Sequence, residues 1–143
     1  MNWERWNLNL EKLLFNDKDV DLSLVPGDLL AFIGDSFHSL YIKTKIVVSG
    51  ELKVGVVHER SKGRIFFKAQ AAALEKILDI LDESERALVK RVINSKGAKR
   101  YGNNPNYRKS TAFEALIGYL YLSKKFDRIK QLFDEVEKCS SME

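Results

Sequence analysis

The sequence predicts an all-α protein, on three observations. Apolar residues recur at helical spacing along most of the chain. Few segments alternate apolar and polar residues as strands do. The two prolines, Pro26 and Pro105, fall at boundaries between apolar stretches. With 143 residues, 45% of them apolar, the chain can bury one core and reads as one principal domain. We place that domain at residues 23–138, after an N-terminal extension at 1–22 and before a tail at 139–143.

Residues 1–22 suggest a short helix and an extended lead-in. The first long helix follows Val25-Pro26-Gly27-Asp28 and extends to about Val47, with proline where its missing N–H costs nothing. Its segment LLAFIGDSFHSLYI is apolar on nearly every side, which predicts a central, buried helix ended by Ser49-Gly50. A second helix is expected from Lys53 to about Ser61, with Gly63 as a break. A third spans about Phe67 to Leu81, striped by Ala73, Leu74, Ile77, Leu78 and Leu81. The fourth begins at Asp82, with Glu85 three residues on as a capping box, and buries Leu88, Val89 and Val92. Residues 94–108, with two glycines, Pro105 and four asparagines, read as a loop. A fifth helix covers about Lys109 to Ser123, and Ala112, Ala115 and Gly118 give it an edge that another helix can approach closely. The last helix carries Ile129, Leu132, Phe133 and Val136 at i, i+3, i+4, i+7.

The single cysteine, Cys139, excludes a disulfide within the chain and a multi-cysteine zinc site, and fits a reducing compartment. The opening MNWERWNLNLEKLL lacks the basic start and apolar core of a signal peptide. No apolar run reaches membrane-spanning length. The expectation is a soluble cytoplasmic protein with no membrane partner.

Two acids stand inside apolar helices: Asp35 in FIGDSF and Glu114 in STAFEALIGYLYL. A buried, ionised carboxylate without a partner costs several kcal/mol, so each needs a cation, a metal or hydrogen bonds. An internal ion pair is one reading: an arginine for Asp35, or Lys109 or Lys43 for Glu114. Convergence of the two acids on a hard divalent cation is the other. Such a cation can lower the pKa of bound water and stabilise a phosphoryl transition state, which makes metal-assisted phosphodiester chemistry a candidate.

At these residues the chain resembles a known family. Ala31-Phe32-Ile33-Gly34-Asp35 resembles the signature helix of the ribonuclease III catalytic domain, E-F-L-G-D. Ser110-Thr111-Ala112-Phe113-Glu114-Ala115-Leu116 resembles its second motif, D-x-x-E-A. Tyr107-Arg108 before that motif, Lys68-Ala69-Gln70 and Asn94-Ser95-Lys96 look like segments of the small bacterial Mini-III branch. The chain also ends soon after the last helix, so a double-stranded-RNA-binding domain is not expected. The resemblance covers about residues 25–125. It implies that Asp35 and Glu114 are the catalytic, metal-binding acids, with Mg2+ as cofactor and Mn2+ as a substitute. Ala31 and Thr111 stand where longer members of the family have acids. That implies fewer protein ligands and more metal-bound water. Asp28, two turns before Asp35, reads as a charge at the helix N-terminus.

The net charge is +4, and its distribution is uneven. His58, Arg60, Lys62, Arg64 and Lys68 lie close together, and Lys96, Lys99, Arg100 and Arg108 share an acid-free loop. Asp127, Asp134, Glu135, Glu137 and Glu143 gather at the C-terminal end. A solvated charged surface explains such clusters taken singly; together they suit a face that tracks phosphates. Arg64, Lys68, Lys96, Lys99, Arg100 and Arg108 are the candidate RNA-binding residues. Double-stranded RNA is read mostly by shape, so weak sequence preference is expected. Tyr101 and Tyr107 could stack on bases or pack the loop. His38 reads as a satisfied core residue.

The resemblance further implies a homodimer with one site per subunit, and Phe32 as the aromatic that inserts into the partner. It implies hydrolysis to 5′-phosphates with short 3′ overhangs, and maturation of 23S ribosomal RNA precursors assisted by a ribosomal protein. Two rivals remain at this point. One is a non-catalytic ribonuclease III-like protein that only binds RNA or ribosomes. The other is a helical DNA-binding or adaptor protein, which explains the positive charge but not two acids inside apolar helices.

Overall fold

The computed structural model describes residues 10–96 and 103–140, with side chains through Lys138. The described residues are helical or irregular, with no strand among them, as the periodicity requires. Helix α1 is Leu10–Phe15, α2 Gly27–Val48, α3 Val54–Ile65, α4 Phe67–Ile77, α5 Glu83–Ile93, α6 Pro105–Leu122 and α7 Phe126–Ser140. Short 3-10 turns occupy Leu22–Leu24 and Leu78–Ile80.

Helix α6 is the centre of the molecule. Ala112, Phe113, Ala115, Leu116, Ile117 and Leu120 are fully buried, between α2 on one side and α4, α5 and α7 on the others. Each large apolar side chain so buried contributes about 1.5–3 kcal/mol relative to exposure. Helix α2 crosses α6 at backbone contact. A Cβ on Gly34 would lie 1.7 Å from the Glu114 carbonyl oxygen, and one on Gly118 would lie 1.9 Å from the Leu30 carbonyl oxygen. Only glycine fits at either position.

Helix α5 starts on the expected capping box. Asp82 Oδ1 accepts from the Glu85 N–H at 2.8 Å, and Glu85 Oε1 accepts from the Asp82 N–H at 2.9 Å. Glu85 is also buried against Arg128 of α7, which donates to both carboxylate oxygens at 2.7 and 2.9 Å and to the Ile80 carbonyl at 2.6 Å. One residue thus caps α5 and ties it to α7.

Three element boundaries differ from expectation. Helix α3 passes through Gly63 to Ile65, because the glycine faces open space and a helix tolerates it at about 1 kcal/mol. The third helix loosens into a 3-10 turn after Ile77. Helix α6 begins at Pro105, inside the segment read as loop. Asn104 caps it, its Oδ1 accepting from the N–H groups of Asn106 and Tyr107, and Pro105 takes the first helical position.

Candidate active site at the central helix crossing

The glycine contact that packs α2 on α6 also sets the acids. Asp35 follows Gly34 directly, and Glu114 contributes the carbonyl against which Gly34 rests. The crossing therefore brings both carboxylates to one end of a backbone-to-backbone contact. Their settings differ. Asp35 is exposed, contrary to the buried position its apolar neighbours suggest, because α2 keeps one face uncovered. Glu114 is half-buried, and its pKa is pushed up from the ordinary 4.5 to about 8. Burial is the larger cause and the charge of Asp35 the second, while a hydrogen bond from Ser110 works the other way.

Glu114 does not pair with Lys109, which instead meets Glu75 at 2.6 Å. Its hydrogen-bond partner is Ser110 Oγ, 3.3 Å from Oε1. Ser110 Oγ also lies 2.5 Å from Gln70 Oε1, and Gln70 Nε2 lies 3.2 Å from His38 Nδ1. His38 is buried, and desolvation followed by the charge of Arg64 lowers its pKa to about 4, so it is neutral at physiological pH. His38 is a satisfied core residue, as the sequence predicts. Nothing in the sequence hints that Gln70 and Ser110 support Glu114.

A half-buried carboxylate whose ionisation is opposed by burial and by a neighbouring carboxylate forms with that neighbour a donor set suited to a hard, oxygen-seeking divalent cation. No group of three or more potential ligands occurs among the described residues. Ala31 is buried, and Thr111 Oγ1 donates to the Tyr107 carbonyl at 3.0 Å. Asp28 is exposed at the start of α2 and accepts from the Leu29 N–H, as a helix N-terminal charge does.

The candidate RNA-binding cations fall into different settings. Lys68 and Lys96 are exposed. Arg108 is half-buried, and its Nε is buried with no acceptor among the described residues. Arg64 has an intramolecular partner: it bonds Glu137 of α7 at 3.3 Å, where Lys45 also binds at 3.1 Å. Arg64 thus joins α3 to α7 while its side chain stays partly exposed. Tyr107 packs edge-on against Phe67, which fills the loop-packing role. Lys99, Arg100 and Tyr101 lie outside the described residues.

Phe32 is 70% exposed, one turn before Asp35. This removes core packing as its role. Leu29 and Leu40 of α2 are exposed too, and Leu40 lines a groove of about 570 Å³ with Leu10, Leu14, Ile33, Phe37 and Phe126. So large an apolar face on a small protein marks an interaction surface.

A family model described as the ribonuclease III domain matches residues 28–125. Mini-ribonuclease 3 of Kosmotoga olearia is 40% identical over 118 residues, 80% of this chain and 81% of that protein. Mini-ribonuclease 3 of a Thermoanaerobacter species is 40% identical over 127 residues, 87% of this chain and 89% of that protein. A crystal structure of a Fusobacterium nucleatum protein aligns with a TM-score of 0.73 at 32% identity, covering 84% of this chain and 98% of that one.

Proposed function

The chain belongs to the ribonuclease III family, in its Mini-ribonuclease 3 branch, and is an endoribonuclease; we propose that it cuts double-stranded RNA with Mg2+ held by Asp35 and Glu114. The observation that carries this reading is the acid pair at the glycine crossing, where burial and Asp35 together oppose the charge on Glu114. A divalent cation answers that opposition, and Mn2+ can take the place of Mg2+. When bound, the ion supplies an activated water and offsets charge building on the phosphoryl oxygens.

The reaction is hydrolysis. Water attacks phosphorus in line with the 3′-oxygen, a new P–O bond forms as the P–O3′ bond breaks, and the leaving oxygen takes a proton. The phosphate stays on the 5′ end. Lys68, Lys96, Lys99, Arg100 and Arg108 supply positive charge for the RNA backbone. Exposed Phe32 and its apolar surroundings fit a second copy of the chain, whose two-fold symmetry matches that of an RNA duplex and gives staggered cuts. The substrate within this class is the precursor of 23S ribosomal RNA, presented with a ribosomal protein in the cytoplasm.

Duplex RNA and duplex DNA of one sequence, offered to the wild type and to Asp35→Asn, test the assignment. Cutting of RNA alone, lost in the variant, supports it. Equal action on DNA, or an active variant, rejects it.

A further inference from the structure

Beneath the acid pair, four polar side chains from three helices form one hydrogen-bonded chain. His38 comes from α2, Gln70 from α4, and Ser110 and Glu114 from α6. Gln70 and Ser110 are almost completely buried and His38 nearly so, within a core that is otherwise apolar. Buried polar groups persist where their bonds offset the lost hydration, and here those bonds run in series towards Glu114.

Donor accounting gives the series a direction. A serine hydroxyl has one proton, and a carboxamide oxygen can only accept. With Gln70 Oε1 facing Ser110 at 2.5 Å, the Ser110 proton goes to Gln70, and Gln70 Nε2 donates to His38 Nδ1. Ser110 then has nothing left to donate to Glu114, 3.3 Å away. An ionised Glu114 also only accepts, so two acceptors would face each other. A half-turn of the Gln70 carboxamide removes the conflict. Nε2 then donates to Ser110, Ser110 donates to Glu114, and Oε1 accepts from His38. Neutral His38 can meet this demand, because its one ring proton can sit on either nitrogen.

We propose that Ser110 and Gln70 are positioning residues for Glu114, that the half-turn of Gln70 aims the Ser110 hydroxyl at the ionised carboxylate, and that His38 takes its Nδ1–H tautomer when this happens. The proposal rests on Glu114 being a magnesium-holding acid and names what holds it in place. Partners that orient a metal-holding side chain are commonly worth 10- to 100-fold in metal affinity.

The test combines 15N NMR of the histidine rings with calorimetric titration of Mg2+ into the full chain. In the wild type, Mg2+ should move the His38 proton from Nε2 to Nδ1 and leave exposed His58 unchanged. Ser110→Ala should abolish that transfer and weaken Mg2+ binding by about 10- to 100-fold, with KM for an RNA duplex at saturating Mg2+ unchanged. Gln70→Met should do the same. If that variant does not fold, the wild-type spectra and Ser110→Ala carry the test. Mg2+ binding with no change at His38, or unaltered affinity in Ser110→Ala, overturns the relay alone. No Mg2+ binding by the wild type overturns the metal reading and the relay with it.

Discussion

Glu114 should cost the metal-free protein stability, and the cost should depend on pH in a set direction. Its carboxyl is raised from 4.5 to about 8 in the folded state. Between those values the folded protein holds a proton that the unfolded chain has released. Stability therefore falls as pH rises through this window and levels off above about 8. At about 1.4 kcal/mol per pH unit the full loss approaches about 5 kcal/mol near pH 9, while only about 1 kcal/mol of it is present near pH 5. Glu114→Gln has nearly the same shape, stays neutral and can still meet Ser110. In EDTA its gain over the wild type should grow from about 1 kcal/mol at pH 5 to about 5 kcal/mol at pH 9, read by urea unfolding. Asp35→Asn should recover a smaller part, because burial is the larger cause. Saturating Mg2+ should restore the wild type by binding only the folded state. A gain for Glu114→Gln that is equal at both pH values would refute the claim that the fold opposes this charge.

Other perturbations follow from the packing and the charge. Gly34→Ala forces a methyl into the Glu114 carbonyl, so α2 and α6 must separate; circular dichroism should show lost or strongly weakened folding. Arg128→Ala strands buried Glu85 and should cost about 3–5 kcal/mol in urea unfolding. Lys68→Glu with Lys96→Glu should weaken binding to duplex RNA and flatten its dependence on salt, measured by filter binding across ionic strength. If the exposed Phe32 face seats the proposed second copy, the wild type should sediment as a dimer and Phe32→Glu as a monomer.

Much of this architecture is legible in the sequence because it is local. The Asp82–Glu85 capping box is a four-residue signal, and it forms as read. The spacing of Ala112, Ala115 and Gly118 announces a close helix contact, and Gly118 makes one. The exposure of Asp35 is not legible. A helix apolar on nearly every side looks buried, yet α2 leaves Phe32 and Leu40 uncovered, and periodicity cannot separate a core face from an interface face. The start of α6 was obscured by asparagine-rich composition, although Asn104-Pro105 is a sound cap and first-turn pair. The support of Glu114 was invisible for another reason. Gln70 and Ser110 are 40 positions apart, Gln70 and His38 are 32 apart, and only the helix packing joins them.

The most direct measurement is cleavage of a plain RNA duplex by the wild type in Mg2+, by the wild type in EDTA, and by Asp35→Asn in Mg2+. Strand scission in the first sample and in neither of the others is the predicted result. Scission that survives EDTA or the loss of Asp35 would contradict a metal-dependent site built on Asp35 and Glu114.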